Sequence, residues 1–153
     1  MKKVFGAAVI VVCVLSAGLV PAQDKSSPLP MSTFVGMFTD PSVTSAQKHI
    51  GLPEGTWYEG TVTVSDVEYY QGQSQGERFA EIKDKHYEGG CYMLLFRVPD
   101  LDKALSLKVG DKIAIRGKLS NMGMSTTKYA IVCETRFALF KDCEILEAIK
   151  PGK

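Results

Sequence analysis

The sequence has little of what most site chemistries need. Its two histidines, His49 and His86, stand far apart, and its four cysteines form no CxxC pair, so the spacings of a tetrahedral zinc site are missing. We expect no metal and no cofactor. A surplus of charge is missing too, because 18 basic residues face 17 acidic ones. Such a chain has no overall footprint for a phosphate backbone, whose binding relies on neutralising several charges at once. No nucleophile sits beside an obvious base. His86 precedes Cys91 by five residues, but Cys91 heads an apolar run and reads as core or disulfide rather than as an activated thiol. No catalytic residue is assigned, and a non-enzymatic protein is expected.

Long apolar runs are also scarce, and the clear case opens the chain. Lys2 and Lys3 precede an apolar stretch from Val4 to Val20, followed by small residues and then Asp24-Lys25. That is the pattern of a secretory signal peptide, with the cut placed after Ala22. A retained membrane anchor is the alternative, and the run lies near the lower limit for a span. A lipidated cysteine does not fit, since Val11 and Val12 precede Cys13 where small residues are wanted. Residues 1–22 are thus read as the signal, and removing them from 153 leaves 131, the size of one domain with a single core. The expected location is periplasmic or secreted, with no stable membrane insertion after cleavage.

Proline and polar residues in Gln23 to Pro30 suit a chain end without structure, and residues 23–38 are read as a flexible N-terminal segment. Residues 39–150 form the single domain. Thr39 or Asp40 can cap a short helix over Ser42 to His49, with Pro41 pre-set for the first turn. Phe34, Val35, Phe38 and Ile50 around it could cover the open end of a barrel. Alternation of β-branched residues from Tyr58 to Val67 predicts a first strand, and the polar stretch Gln71 to Gly76 a loop. Arg78 to Lys83 reads as a second strand and Cys91 to Val98 as a third, apolar enough to be covered on both faces. Pro99 to Leu107 allows one or two helical turns. Lys112 to Ser120 is a fourth strand, interrupted by Gly117 where a bulge would let a sheet curl. Asn121 to Thr127 reads as a loop, and Tyr129 to Leu146 returns to strand patterning. The predicted fold is mainly β: a five-stranded OB-fold Greek-key barrel with a short helix between strands 3 and 4 and a short N-terminal helix.

Particular motifs carry a resemblance. LKVGDKIAIRGKLSN, followed by ALFKDCEIL, is similar to the fourth and last strands of the small tRNA_anti-like family of bacterial OB-fold proteins, and WYEGTVTV resembles that family's first strand. The likeness runs from about Trp57 to Leu146. Leu119 stands where many members have a second cysteine, and Tyr129 to Arg136 is an added segment. The resemblance implies an exported barrel without implying an activity.

Three cysteines remain after the signal: Cys91, Cys133 and Cys143. In one continuous strand Cys133 and Cys143 would lie about 33 Å apart, whereas bonded cysteines need Cα atoms within about 7 Å. In an OB barrel the third and fifth strands run side by side, which favours Cys91 with Cys133. Cys133 with Cys143, across a chain reversal, and three free thiols remain open.

Aromatic residues offer the best site signal. Tyr69, Tyr70, Phe79, Tyr87 and Tyr92 cluster around the first three strands with Arg97, and OB-folds bind extended ligands across the second and third strands. Stacking of sugar rings or bases on such residues is physically reasonable, although Phe79 and Tyr92 fit a core better, and Tyr69, Tyr70 and Tyr87, nearer loops, fit either role. The expected function is a binding or interaction module for a peptide, a glycan or an envelope protein. The alternatives are single-stranded nucleic-acid binding through a local stripe of Lys83, Lys85, Arg97, Lys112, Arg116, Lys118, Lys128 and Arg136, or a structural part of an envelope assembly.

Overall fold

Strands make up more than half of the described residues. The computed structural model describes residues 25, 27–72, 77–87, 91–125 and 135–149. In order these form β1 (Leu29–Pro30), α1 (Met31–Thr39), α2 (Ser45–Gly51), β2 (Trp57–Thr63), β3 (Asp66–Gln71), β4 (Arg78–His86), β5 (Tyr92–Val98), α3 (Leu101–Leu105), β6 (Lys112–Ser125) and β7 (Thr135–Ile149). The strands make one sheet in the order β1-β2-β6-β7-β5-β4-β3. The chain is mainly β, with a few short helices. Neighbours pair antiparallel except β1 with β2 and β5 with β7, which run parallel. Among the described residues no helix is long and apolar enough to cross a bilayer. Residues 1–22, expected to be a signal peptide, lie outside them.

Where five strands were expected there are seven. The first strand is interrupted at Val64–Ser65, so that β2 pairs with β6 while β3 pairs with β4. At the break the backbone serves both sides: Val64 N–H donates to Asp111 at 2.8 Å and Ser65 N–H to Lys83 at 2.7 Å. The other addition, β1, is two residues long. It belongs to a segment expected to be flexible, and the expectation of structureless residues 23–38 does not hold for α1. Met31, Phe34 and Phe38 follow helical spacing, and all three are buried. Phe34 meets Tyr58 and Phe140 edge-on, each at 5.2 Å between ring centroids. Gly60 in β2 leaves the space for this docking, since a Cβ there would lie 2.5 Å from Met31 Cβ.

The second helix starts later than predicted. Thr44 is its N-cap, and Thr44 with Gln47 completes a capping box. Asp40 instead accepts from Ser42 N–H at 2.8 Å and closes the turn before the helix. Ile50, expected over the barrel end, is exposed.

Residues 121–125 are another correction. They extend β6 instead of forming a loop, pairing Asn121 with Leu139 through Ser125 with Thr135. The gain is a longer ladder and a buried Met122. Gly117 does mark an irregularity, as the sequence suggested. The register shifts between Arg116 and Lys118. Opposite it, Asp142 adopts φ 53°, so two β7 residues face one on β6 in the manner of a bulge. The core lies behind β4, β5, β6 and β7, where Ala80, Ile82, Phe96, Ile113, Ile115 and Phe140 are all fully buried.

Candidate binding face

β4 is buried on both of its faces from Ala80 to Asp84. Ala80 and Ile82 point to the core, so Phe79, Glu81, Lys83 and Lys85 fall on the other face of the sheet. Register then sets their neighbours: Tyr70 on β3 lies opposite Phe79, and Arg97 on β5 lies opposite Glu81. Tyr70 and Phe79 stack with centroids 5.5 Å apart and planes 17° from parallel. Arg97 covers the Phe79 ring, its guanidinium carbon 4.7 Å from the centroid. The same guanidinium donates to Glu81 at 3.3 Å. The result is a cation and two rings held in one stack on the outer face.

Charges beside the stack are paired. Lys83 bridges Glu68 and Asp66, Lys85 reaches Asp66 at 3.6 Å, and the Tyr70 hydroxyl donates to Glu68. The Lys83 and Tyr70 hydrogen bonds hold the Glu68 carboxyl below its ordinary value. Burial pushes the Lys83 ammonium down, but Glu68, Asp66 and Glu81 outweigh it and the net shift is upward. These directions fix a pH window. A depressed carboxylate stabilises the fold above its unfolded value of 4.5 and loses that contribution as pH falls through the folded value. A raised lysine stabilises it below 10.5 and loses that contribution as pH rises through the folded value. Glu68→Gln should therefore lower stability by about 1 kcal/mol between these limits. In urea titrations across pH, the gap between the two proteins should close at both ends.

Of the six aromatic and basic residues expected at the site, Tyr70, Phe79 and Arg97 are brought together. Tyr69 alternates to the opposite face of β3, and Tyr87 lies just past the end of β4; both are exposed. Tyr92 points inward, stacked on His86 at 4.4 Å and edge-on to Phe38 at 6.3 Å. It belongs with the core, and burial followed by the nearby Asp84 raises its hydroxyl pKa. His86 is engaged there with Asp84, Nε2 to Oδ1 at 2.9 Å. Sequence reasoning missed Glu68, Glu81 and the pairing role of Lys83. Their signal was period two on strands whose mutual register was not yet known.

Half of the expected basic stripe is paired, while Lys112, Lys118 and Arg136 form no ion pair among the described residues. Lys83, Lys85, Arg97 and Arg116 each pair with a carboxylate, Arg116 with Glu59 at 2.9 Å. Lys128 lies outside the described residues, as do residues 73–76 of the first loop, residues 126 and 127, and Cys133. Cys143 is a buried free thiol, which removes it from the expected pairings, and burial pushes its pKa far up. Among the described residues no group of three or more His, Cys, Asp or Glu could hold a metal ion.

No family model matches the chain, and no curated protein matches it. Among solved structures, the chain is similar to DNA binding domain A of Replication Protein A from S. cerevisiae, determined in solution. The likeness covers 63% of this chain and 86% of that one, at 11% identity and a TM-score of 0.37. It is too slight to assign a fold or a ligand.

Proposed function

We propose that this chain is an exported, non-enzymatic OB-fold module that binds an extended glycan across the outer face of β3, β4 and β5. The carrying observation is the Tyr70, Phe79 and Arg97 stack. Phe79 is taken up between Tyr70 and Arg97 and holds the exposed Tyr70 ring in place, and a flat exposed ring suits the apolar face of a sugar. Leu95 and Leu139, opposite one another across the parallel β5 and β7 pair, continue the outer face and are both half-buried. Because the lysines and arginines of this face are already paired, a neutral polymer suits it better than a phosphate backbone.

Strand order supports the OB reading. Taking β2 and β3 as one bent strand, and setting aside the two-residue β1, reduces seven strands to five and joins the two ends of the sheet order through Val64–Ser65. The parallel contact of β5 with β7 is then that of third and fifth strands. Membership of the tRNA_anti-like family and export after Ala22 belong to the same proposal. So does a Cys91 to Cys133 disulfide, supported by a disulfide-bonded Cys91 and a free Cys143.

Phe79→Ala is the direct test. It removes the half-buried ring that holds Tyr70 in place, and loss of an ordered stacking surface should weaken retention on an immobilised cell-wall polysaccharide by about tenfold. Circular dichroism should stay that of the parent protein. Undiminished retention, or tighter binding to a single-stranded oligonucleotide that falls steeply with salt, would refute the glycan reading.

A further inference from the structure

A lysine that is 7% exposed calls for a partner, and Lys48 has an incomplete set. Its Nζ donates to the Phe38 carbonyl at 2.7 Å, in the last turn of α1, which uses one of three donors. Among the described residues no carboxylate forms an ion pair with it. Burial, and after it the charge of Arg136, push its pKa down, while Asp40 acts more weakly in the opposite direction. Arg136, in β7, is likewise in no ion pair among the described residues. Its backbone N–H donates to the Cys91 carbonyl at 3.1 Å, and the residue lines the same cleft as Lys48.

Between these two cations lies a cleft of about 100 Å³, with Phe38, Val43, His49 and Met122 also in its lining. That is more than the space one water needs, so the cleft has room for a small oxyanion group. Two neighbouring cations without a carboxylate between them repel each other in a partly dry site, and an anion reverses that cost. The cleft shares no residue with the Tyr70, Phe79 and Arg97 stack.

We propose that this cleft binds a single oxyanion, a carboxylate or a phosphate group, between Lys48 and Arg136. The ammonium supplies point charge and the guanidinium a two-pronged donor, a combination suited to planar or tetrahedral oxygen anions. The site goes beyond glycan binding and stands whether or not that reading does.

The test follows amide shifts of the purified protein as inorganic phosphate or acetate is added at ionic strength held constant with chloride. Saturable shifts at Lys48 and at Met122 to Met124 are expected, and the anion that saturates at lower concentration identifies the preferred group. Arg136→Gln should weaken that binding at least tenfold without altering glycan retention. Lys48→Met should do the same, but Lys48 also closes the end of α1, so Arg136→Gln is the deciding variant. Failure of both anions to bind, equal shifts with chloride alone, or unchanged binding by Arg136→Gln would each overturn the proposal.

Discussion

Phe140→Ala should cost about 3 to 5 kcal/mol of unfolding free energy. The ring is fully buried and touches three others: Phe96 stacked at 5.0 Å, Phe34 edge-on at 5.2 Å and Tyr58 edge-on at 6.1 Å. These partners come from β5, α1 and β2, elements far apart in sequence, so truncation opens a cavity where four elements meet. Collapse around it is limited, because Phe34 is itself held by Phe38 at 5.2 Å and Tyr58. Urea unfolding followed by the fluorescence of Trp57 would measure the loss. A cost below about 1.5 kcal/mol, the range of volume-conserving swaps, would mean that α1 does not depend on this ring.

Gly117→Val should cost about 3 kcal/mol, by overpacking. A Cβ at Gly117 would stand 2.7 Å from the Cys143 sulfur and 3.0 Å from Phe140 Cβ. Neither neighbour can step aside, since both are buried on β7, the strand beside β6. Cys143→Ala removes the nearer atom and should recover part of the loss, so the double variant should be less unstable than the sum of the two changes. Additive costs in the same urea assay would place the strain elsewhere.

Gly117 also shows what could be read in advance. A glycine inside a strong strand pattern pointed to an irregularity, and the register shifts there because the β6 backbone passes close to β7. The parallel neighbours β5 and β7 were likewise implicit in the expected strand order. The first helix was hidden by its setting: Pro30 and Gly36 signal breaks, and the apolar spacing of Met31, Phe34 and Phe38 takes its weight from the sheet beneath it. Asn121 to Ser125 looked like a turn by composition, yet backbone pairing with β7 outweighed weak local preference.

At the candidate site, residue type suggested the aromatic cluster but could not sort it. Tyr69 and Tyr70 are adjacent and therefore face opposite ways, and only the β3 to β4 register shows that Tyr70 meets Phe79. Tyr92 went to the core because its strand partner is His86, on the inward face of β4. The cleft between Lys48 and Arg136 joins residues from α2 and β7, which no local pattern could associate.

The measurement that tests the glycan face most directly is an amide-shift titration of the isotope-labelled protein with soluble cell-wall glycan fragments at physiological salt. Shifts concentrated at Glu68 to Tyr70, Phe79 to Lys83 and Leu95 to Arg97, and lost in Phe79→Ala, are the predicted result. Shifts absent from these strands while fragments bind elsewhere, or no binding at all, would contradict it.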